Sequence, residues 1–280
     1  MTASSLNSRE KRAAVSLASV FAFRMLGLFM LMPVLAIYGQ QLEGFSPLWI
    51  GFAIGAYGLT QAVLQIPMGW LSDKIGRKKV IIGGLCVFAL GSVIAATAES
   101  VQMVTLGRAL QGMGAIASAL LALASDLSRD EQRPKVMAVI GMCIGMSFAV
   151  AMLLGPIVAA SWGVAGVFWL TAGLALLGIF IVLFLVPNAV SKAPKGDTLA
   201  TLDDIKQLIK HPQLARLDFG VMLLHLTLTT VFVALPGQLI KDGLIADHHW
   251  YLYIPVLFLA FFLMAPMMIV AIRKEKEKQA

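Results

Sequence analysis

A chain of 280 residues that is 59% hydrophobic and 13% charged falls well short of the roughly 25% charge of a soluble domain. That composition excludes water as the main solvent for most of its surface. The net charge of +7 therefore has to be read from where the bases stand before it can count as a nucleic-acid signal.

Runs of about 20 apolar residues are what an α-helix needs to cross a bilayer core. Their apolarity is continuous rather than alternating, which argues against a β-barrel. In chain order the runs predict eight helical spans: Ala13–Tyr38, Trp49–Leu71, Val80–Ala98, Val101–Ser125, Val136–Trp162, Val167–Val186, Phe219–Ile240 and Trp250–Ile272. The first follows Arg9, Lys11 and Arg12, but it is too long for the apolar part of a signal peptide and reads as a permanent anchor. Short connections join the first six spans, so residues 1–186 read as one six-helix bundle. A polar stretch, 187–217, with Pro187, Pro194 and Gly196, reads as a linker, and 218–280 holds the last two spans. Inside the linker, Thr201-Leu-Asp-Asp204 starts an amphipathic surface helix whose apolar stripe is Leu202, Ile205, Leu208 and Ile209.

Nineteen of the 22 basic residues fall in segments that this alternation puts on one side of the membrane. They stand at 9–12, 74–79, 129–135, 192–216 and 273–278. Lys241 alone lies on the other side, and Arg24 and Arg108 lie within spans. This is the positive-inside pattern, so both termini are predicted to be cytoplasmic and no nucleic-acid partner is implied. Membrane lipid is the expected surrounding.

An arginine deep in a span costs about 2.5–3.5 kcal/mol on insertion scales and usually faces a cavity or a partner. Arg24 is near mid-span. Arg108 is one or two turns from the outer end, where it either reaches the interface or turns inward. None of the 15 acidic residues lies deep in a span, so carbonyls, glutamines or further helices have to satisfy both. His225 is the one group in the spans that titrates near neutral pH, as a proton carrier or as a neutral packing residue. Tyr57, Gln61 and Gln65 recur every four residues and share one helix face. With Gln111 they are candidate walls of a sparsely polar cavity. Such a cavity suits an apolar or amphipathic small molecule, although hydrogen bonding between helices explains the same residues. Gly51 and Gly55, and Gly141 and Gly145, are pairs that allow close helix approach, and Pro156 should bend the fifth span. Cys86 and Cys143 read as apolar packing residues. No nucleotide-binding loop, metal cluster or nucleophile–base set appears, so neither a cofactor nor an enzyme is implied.

A faint repeat links the two ends of the chain. Phe29 precedes Pro33 by four residues and Phe232 precedes Pro236 by four, each with a glutamine (Gln40, Gln238) soon after. Pro67 and Pro266 fall late in the following spans. Such pseudo-symmetry is common in transporters.

Between the second and third spans runs Gly69-Trp-Leu71-Ser-Asp73-Lys-Ile-Gly76-Arg77-Lys78-Lys79. Asp73 and Arg77 meet if the chain is helical there. This loop resembles the signature of the major facilitator superfamily, with Ser72 and Lys74 in place of Ala and Arg. Leu26-Gly27 with Pro33-Val34, then Arg108-Ala-Leu-Gln111-Gly112-Met-Gly114-Ala115, then Gly141, Gly145 and Gly155-Pro156 are similar to the motifs of its drug/proton antiporters. Ala159-Ala160 stands where two glycines are expected.

The resemblance implies the major facilitator fold, an all-α membrane protein with a six-helix bundle followed by the first two helices of a second bundle. It implies alternating access with export of a small-molecule substrate against protons. By the same resemblance Asp73 and Arg77 form with Asp126 a conformational latch braced on an eleventh helix, Arg108 serves proton coupling, and Gly141, Gly145, Gly155 and Pro156 shape the fifth helix. Twelve spans belong to that pattern and eight are read here, so the chain reads as part of a transporter or, alternatively, as a short membrane protein that binds a partner and transports nothing. The oligomeric state is open.

Overall fold

The computed structural model describes residues 6–188, 211–245, 248–249, 251–256, 258–260 and 262–263. The surface helix expected from Thr201, Pro266 and most of the eighth span lie outside them. The described chain is helical: α1 (Ser8–Tyr38), α2 (Pro47–Ile75), α3 (Arg77–Ala96), α4 (Val101–Met113), α5 (Ala117–Asp126), α6 (Arg133–Phe184) and α7 (Pro212–Lys241). Six stretches are long and apolar enough to cross a membrane, with α4 and α5 counted together. A shorter apolar helix, Tyr251–Ala260, follows.

The starts are set by local chemistry. Asn7 accepts from the Glu10 N–H while the Glu10 carboxylate accepts from the Asn7 N–H, a capping box that begins α1 ahead of Ala13. Ser46 and Ser100 cap α2 and α4 through Trp49 and Met103. Pro212 opens α7 seven residues before the predicted start, since proline fits the first helical turn.

Two boundaries differ from expectation. The fifth and sixth spans are continuous by hydrogen bonding in α6, whose 52 residues would extend about 80 Å as one rod. The chain instead turns at Gly163, with φ 64° and ψ −171°, a backbone that favours glycine. The fourth span is broken at Gly114–Ile116 into α4 and α5.

Helix α1 packs mainly on α6, α2 on α4, and α3 on both α4 and α6. The interior is layered. Leu17, Phe21, Ile81, Leu85, Leu120 and Val182 fill an apolar layer toward the N-terminal end of α1. Met30, Leu31, Val34, Leu35, Val104, Val167 and Phe168 fill a second layer toward its other end. Outward positions carry exposed large apolar residues such as Phe52, Leu59, Val63, Leu90 and Phe180, the reverse of a soluble fold and the arrangement that lipid requires.

Glycines do bring helices together, but not at the two pairs named from their spacing. A Cβ on Gly91 of α3 would stand 2.6 Å from the Gly107 carbonyl oxygen of α4, and one on Gly107 would stand 2.7 Å from that of Gly91. Around Gly51, Gly55, Gly141 and Gly145 nothing lies within 4 Å of such an atom. These four meet no close neighbour among the described residues; Gly51, Gly55 and Gly141 are exposed and Gly145 is half-buried. Gly155 does sit tightly, 2.9 Å from the Met30 carbonyl oxygen by the same measure, and Pro156 is inside the helix next to it. Cys86 is exposed and Cys143 half-buried, so Cys86 is not a packing residue of the interior.

Candidate functional site

Between the two apolar layers lies a polar one. Arg24 on α1 and Arg108 on α4 are both 2% exposed, and they flank the buried ring of Tyr57 on α2. The Arg108 guanidinium is 4.6 Å from the ring centroid and that of Arg24 is 6.0 Å away, within cation–π range. Phe88 lies 5.8 Å from Arg24. Arg108 donates to the Ala53 carbonyl at 3.3 Å and to Gln111 Oε1 at 2.7 Å. Gln111 Nε2 donates onward to Ser92 Oγ at 2.7 Å, and Ser92 donates to the Phe88 carbonyl. Arg108 therefore turns inward and does not reach the interface. Gln111 is fully buried and links α4 to α3.

Arg24 Nη2 donates to Gln61 Oε1 at 2.9 Å and to the Gly114 carbonyl at 3.4 Å. The second acceptor is the residue that ends α4, where the unpaired carbonyls of a helix end carry partial negative charge. Gln61 and Gln65 are half-exposed, on a face of α2 that most of the bundle leaves open. Arg24 Nε and Nη1, the Tyr57 hydroxyl and Gln65 Oε1 are buried without a hydrogen-bond partner among the described residues. His225 is not part of this layer. It is exposed on α7, and Nδ1 lies 2.9 Å from the Val221 carbonyl of its own helix.

A second constellation closes one end of the bundle. Arg77 pairs with Asp73, with Asp126 at 3.3 Å and with Ser72 Oγ at 2.6 Å, so the three predicted latch residues are together. Gly76, φ +104°, is the turn that lets α3 begin beside the end of α2. Gly69 lets α2 pass close to Ser118 of α5. Lys78 stands apart from the two carboxylates. It donates to the Val186 carbonyl at 2.6 Å and to Asn188 Oδ1 at 2.8 Å. Arg12 donates to the Leu185 and Phe184 carbonyls and Arg9 to that of Asn188. Three cations thus meet the carbonyl end of α6, where the helix dipole favours positive charge.

An ion pair that sequence reasoning missed lies beside them. Glu10, 2% exposed, accepts from Arg129 Nε at 2.8 Å, Nη2 at 2.9 Å and the backbone N–H at 3.1 Å. The hydrogen-bonded carboxylate raises the Arg129 pKa. The signal available was Asn7-x-x-Glu10, an acid amid bases in capping-box spacing. These groups surround a cavity of about 1040 Å³ with Asp73, Arg77, Asp126, Arg129 and Arg133 on its walls. Arg9, Lys74, Arg77, Lys78, Lys79, Arg129 and Arg133 are gathered around this cavity.

Layered membrane-length helices, with buried cations between apolar layers and charged loops at one end, define a multi-pass membrane protein of transporter architecture. The sequence profile of the Major Facilitator Superfamily matches residues 17–275, and the chain belongs to that family. The inner membrane transport protein YajR of Escherichia coli (strain K12) is 49% identical over 96% of this chain and 60% of its own length. An uncharacterized transporter of Buchnera aphidicola subsp. Schizaphis graminum is 38% identical over 92% of this chain and 66% of its own. The chain thus spans about two thirds or less of these relatives. A bacterial homologue of the human lysosomal transporter Spinster, in an inward-facing and unoccupied conformation, shares the fold with a TM-score of 0.68 at 14% identity, over 92% of this chain and 61% of that one.

Proposed function

We propose that the protein works by alternating access in a bacterial inner membrane, exporting a small apolar or amphipathic molecule in exchange for protons, with both termini in the cytoplasm. The carrying observation is the polar layer. Two arginines lie between two apolar layers with no carboxylate beside them among the described residues, and a cation in a span belongs to a substrate or ion pathway by default. Arg108 is the coupling residue, with Gln111 holding its guanidinium on the Tyr57 ring. Tyr57, Gln61 and Gln65 face the substrate. Asp73, Arg77 and Asp126 hold one of the two access states. The transport names of the relatives support the class of activity.

The test is reconstitution of the purified protein in vesicles under an imposed pH gradient, with the uncharged amphipathic dye Nile red as the moved probe. The expected result is gradient-driven dye movement that Arg108→Ala abolishes. Vesicles in which the unaltered protein moves no dye would overturn the reading.

A further inference from the structure

Within the polar layer, Arg24 is the group left unfinished. Its guanidinium has five N–H donors, and those on Nε and Nη1 are buried without an acceptor among the described residues. Its strongest acceptor is a neutral amide, Gln61 Oε1 at 2.9 Å, in a place where a carboxylate would make a charge-assisted bond about twice as strong. The Tyr57 hydroxyl, on the ring that faces Arg24, is a further buried donor without a partner among the described residues.

The break in the fourth span lies beside the same guanidinium. Arg24 reaches Gly114, and α5 starts at Ala117 with no side chain capping its first N–H groups. The positive end of that helix dipole is therefore directed into the break. The carbonyl end of α4 and the N–H end of α5 meet at this break and largely offset each other, so the net positive potential comes from Arg24 and Arg108, and no acidic residue of the described spans stands beside them. The α2 face is half-open, with Gln61 and Gln65 partly exposed.

The geometry points to an anion site at this break: Arg24 Nε and Nη1, with the Tyr57 hydroxyl and the α5 N-terminus, receive the anionic head group of an amphipathic organic acid, which displaces Gln61 from Arg24. This deepens the transport reading and rests on it, because the head group reaches Arg24 only when the bundle opens along the α2 face. The tail lies along the half-open α2 face, because the apolar layers on either side are filled. The position between those layers separates the site from lipid phosphates at the membrane surface.

The probes are a dansylated alkyl sulfonate and its uncharged sulfonamide, titrated by fluorescence into the purified protein in zwitterionic nanodiscs. The sulfonate is expected to bind about tenfold or more tighter than the sulfonamide. Arg24→Gln should abolish that preference and Arg24→Lys should keep part of it. Gln61→Glu should also abolish it while raising the thermal unfolding midpoint, because a tethered carboxylate then satisfies Arg24. This second variant keeps the test decisive if Arg24→Gln does not fold. Equal binding of the two probes, a preference that survives Gln61→Glu, or displacement of the sulfonate by phosphatidylglycerol overturns the inference. Dye transport without sulfonate preference sinks this site alone, whereas sulfonate preference without any dye movement sinks the transport reading alone.

Discussion

Glu10 and Arg129, 119 positions apart in the chain, are joined by side-chain hydrogen bonds of 2.8 and 2.9 Å. The same carboxylate caps α1, so one buried acid ties the first turn of the first helix to the loop ahead of α6. Arg133 and Asp130 form a contrasting pair with side chains 47% and 81% exposed, where solvent leaves little net gain. Glu10→Gln should therefore lower the thermal unfolding midpoint clearly, while Asp130→Asn should leave it near the parent value. Equal effects of the two would deny Glu10 its fastening role.

Phe148 on α6 makes T-shaped contacts with Phe29 of α1 at 5.1 Å and with Phe232 of α7 at 5.4 Å. The two phenylalanines of the faint repeat thus meet on one ring, and Phe232 continues to Tyr253 at 5.9 Å. Each such pair contributes about 0.5–1.5 kcal/mol beyond burial. Helix α7 is otherwise mostly exposed, so these rings are a principal part of its attachment. Phe148→Ala is expected to speed amide hydrogen exchange in α7 while leaving α3 unchanged. Unaltered exchange in α7 would show that other contacts hold it.

Arg77 bridges Asp73 and Asp126 at the charged end of the bundle. The pairs are partly exposed, so removing one should shift a two-state equilibrium by about two- to fivefold, and not by orders of magnitude. Asp73→Asn should change the ratio of inward- to outward-facing populations, read by electron–electron distance measurements between spin labels on the charged ends of α2 and α7. An unchanged ratio would remove the latch from the mechanism.

Much of this was readable from the sequence because lipid enforces a simple code. Apolar length marks the helices, and the bases sort by side. Serine, asparagine and proline at helix starts account for several boundaries. What was not readable depends on approach between helices distant in sequence. The break at Gly114 leaves no mark in hydropathy, since Ala115, Ile116 and Ala117 continue the apolar run. It arises where Gly112 and Gly114 pack against Tyr57 and Gly84 of two other helices. The Gly91–Gly107 crossing was likewise unread: Gly91 and Ala95 are small residues four apart and both pack on Gly107, but Gly107 has no small residue four positions away to mark the other side. Gln111 lies near Arg108 on its helix, but only the fold shows that it continues to Ser92.

Gly76 and Gly83 separate backbone strain from crowding, since a Cβ at either would meet nothing within 4 Å. Gly76 has φ +104° and ψ 137°, a conformation that side-chain-bearing residues adopt only at a cost of about 1–3 kcal/mol. Gly83 lies inside α3, exposed, where alanine is favoured over glycine by about 0.8–1 kcal/mol. Gly76→Ala should therefore lower the unfolding midpoint and Gly83→Ala should hold or raise it. With sterics equal, only the dihedral angle distinguishes the two sites. If both substitutions act in the same direction, the positive-φ turn between α2 and α3 is not what positions Arg77 beside Asp73 and Asp126.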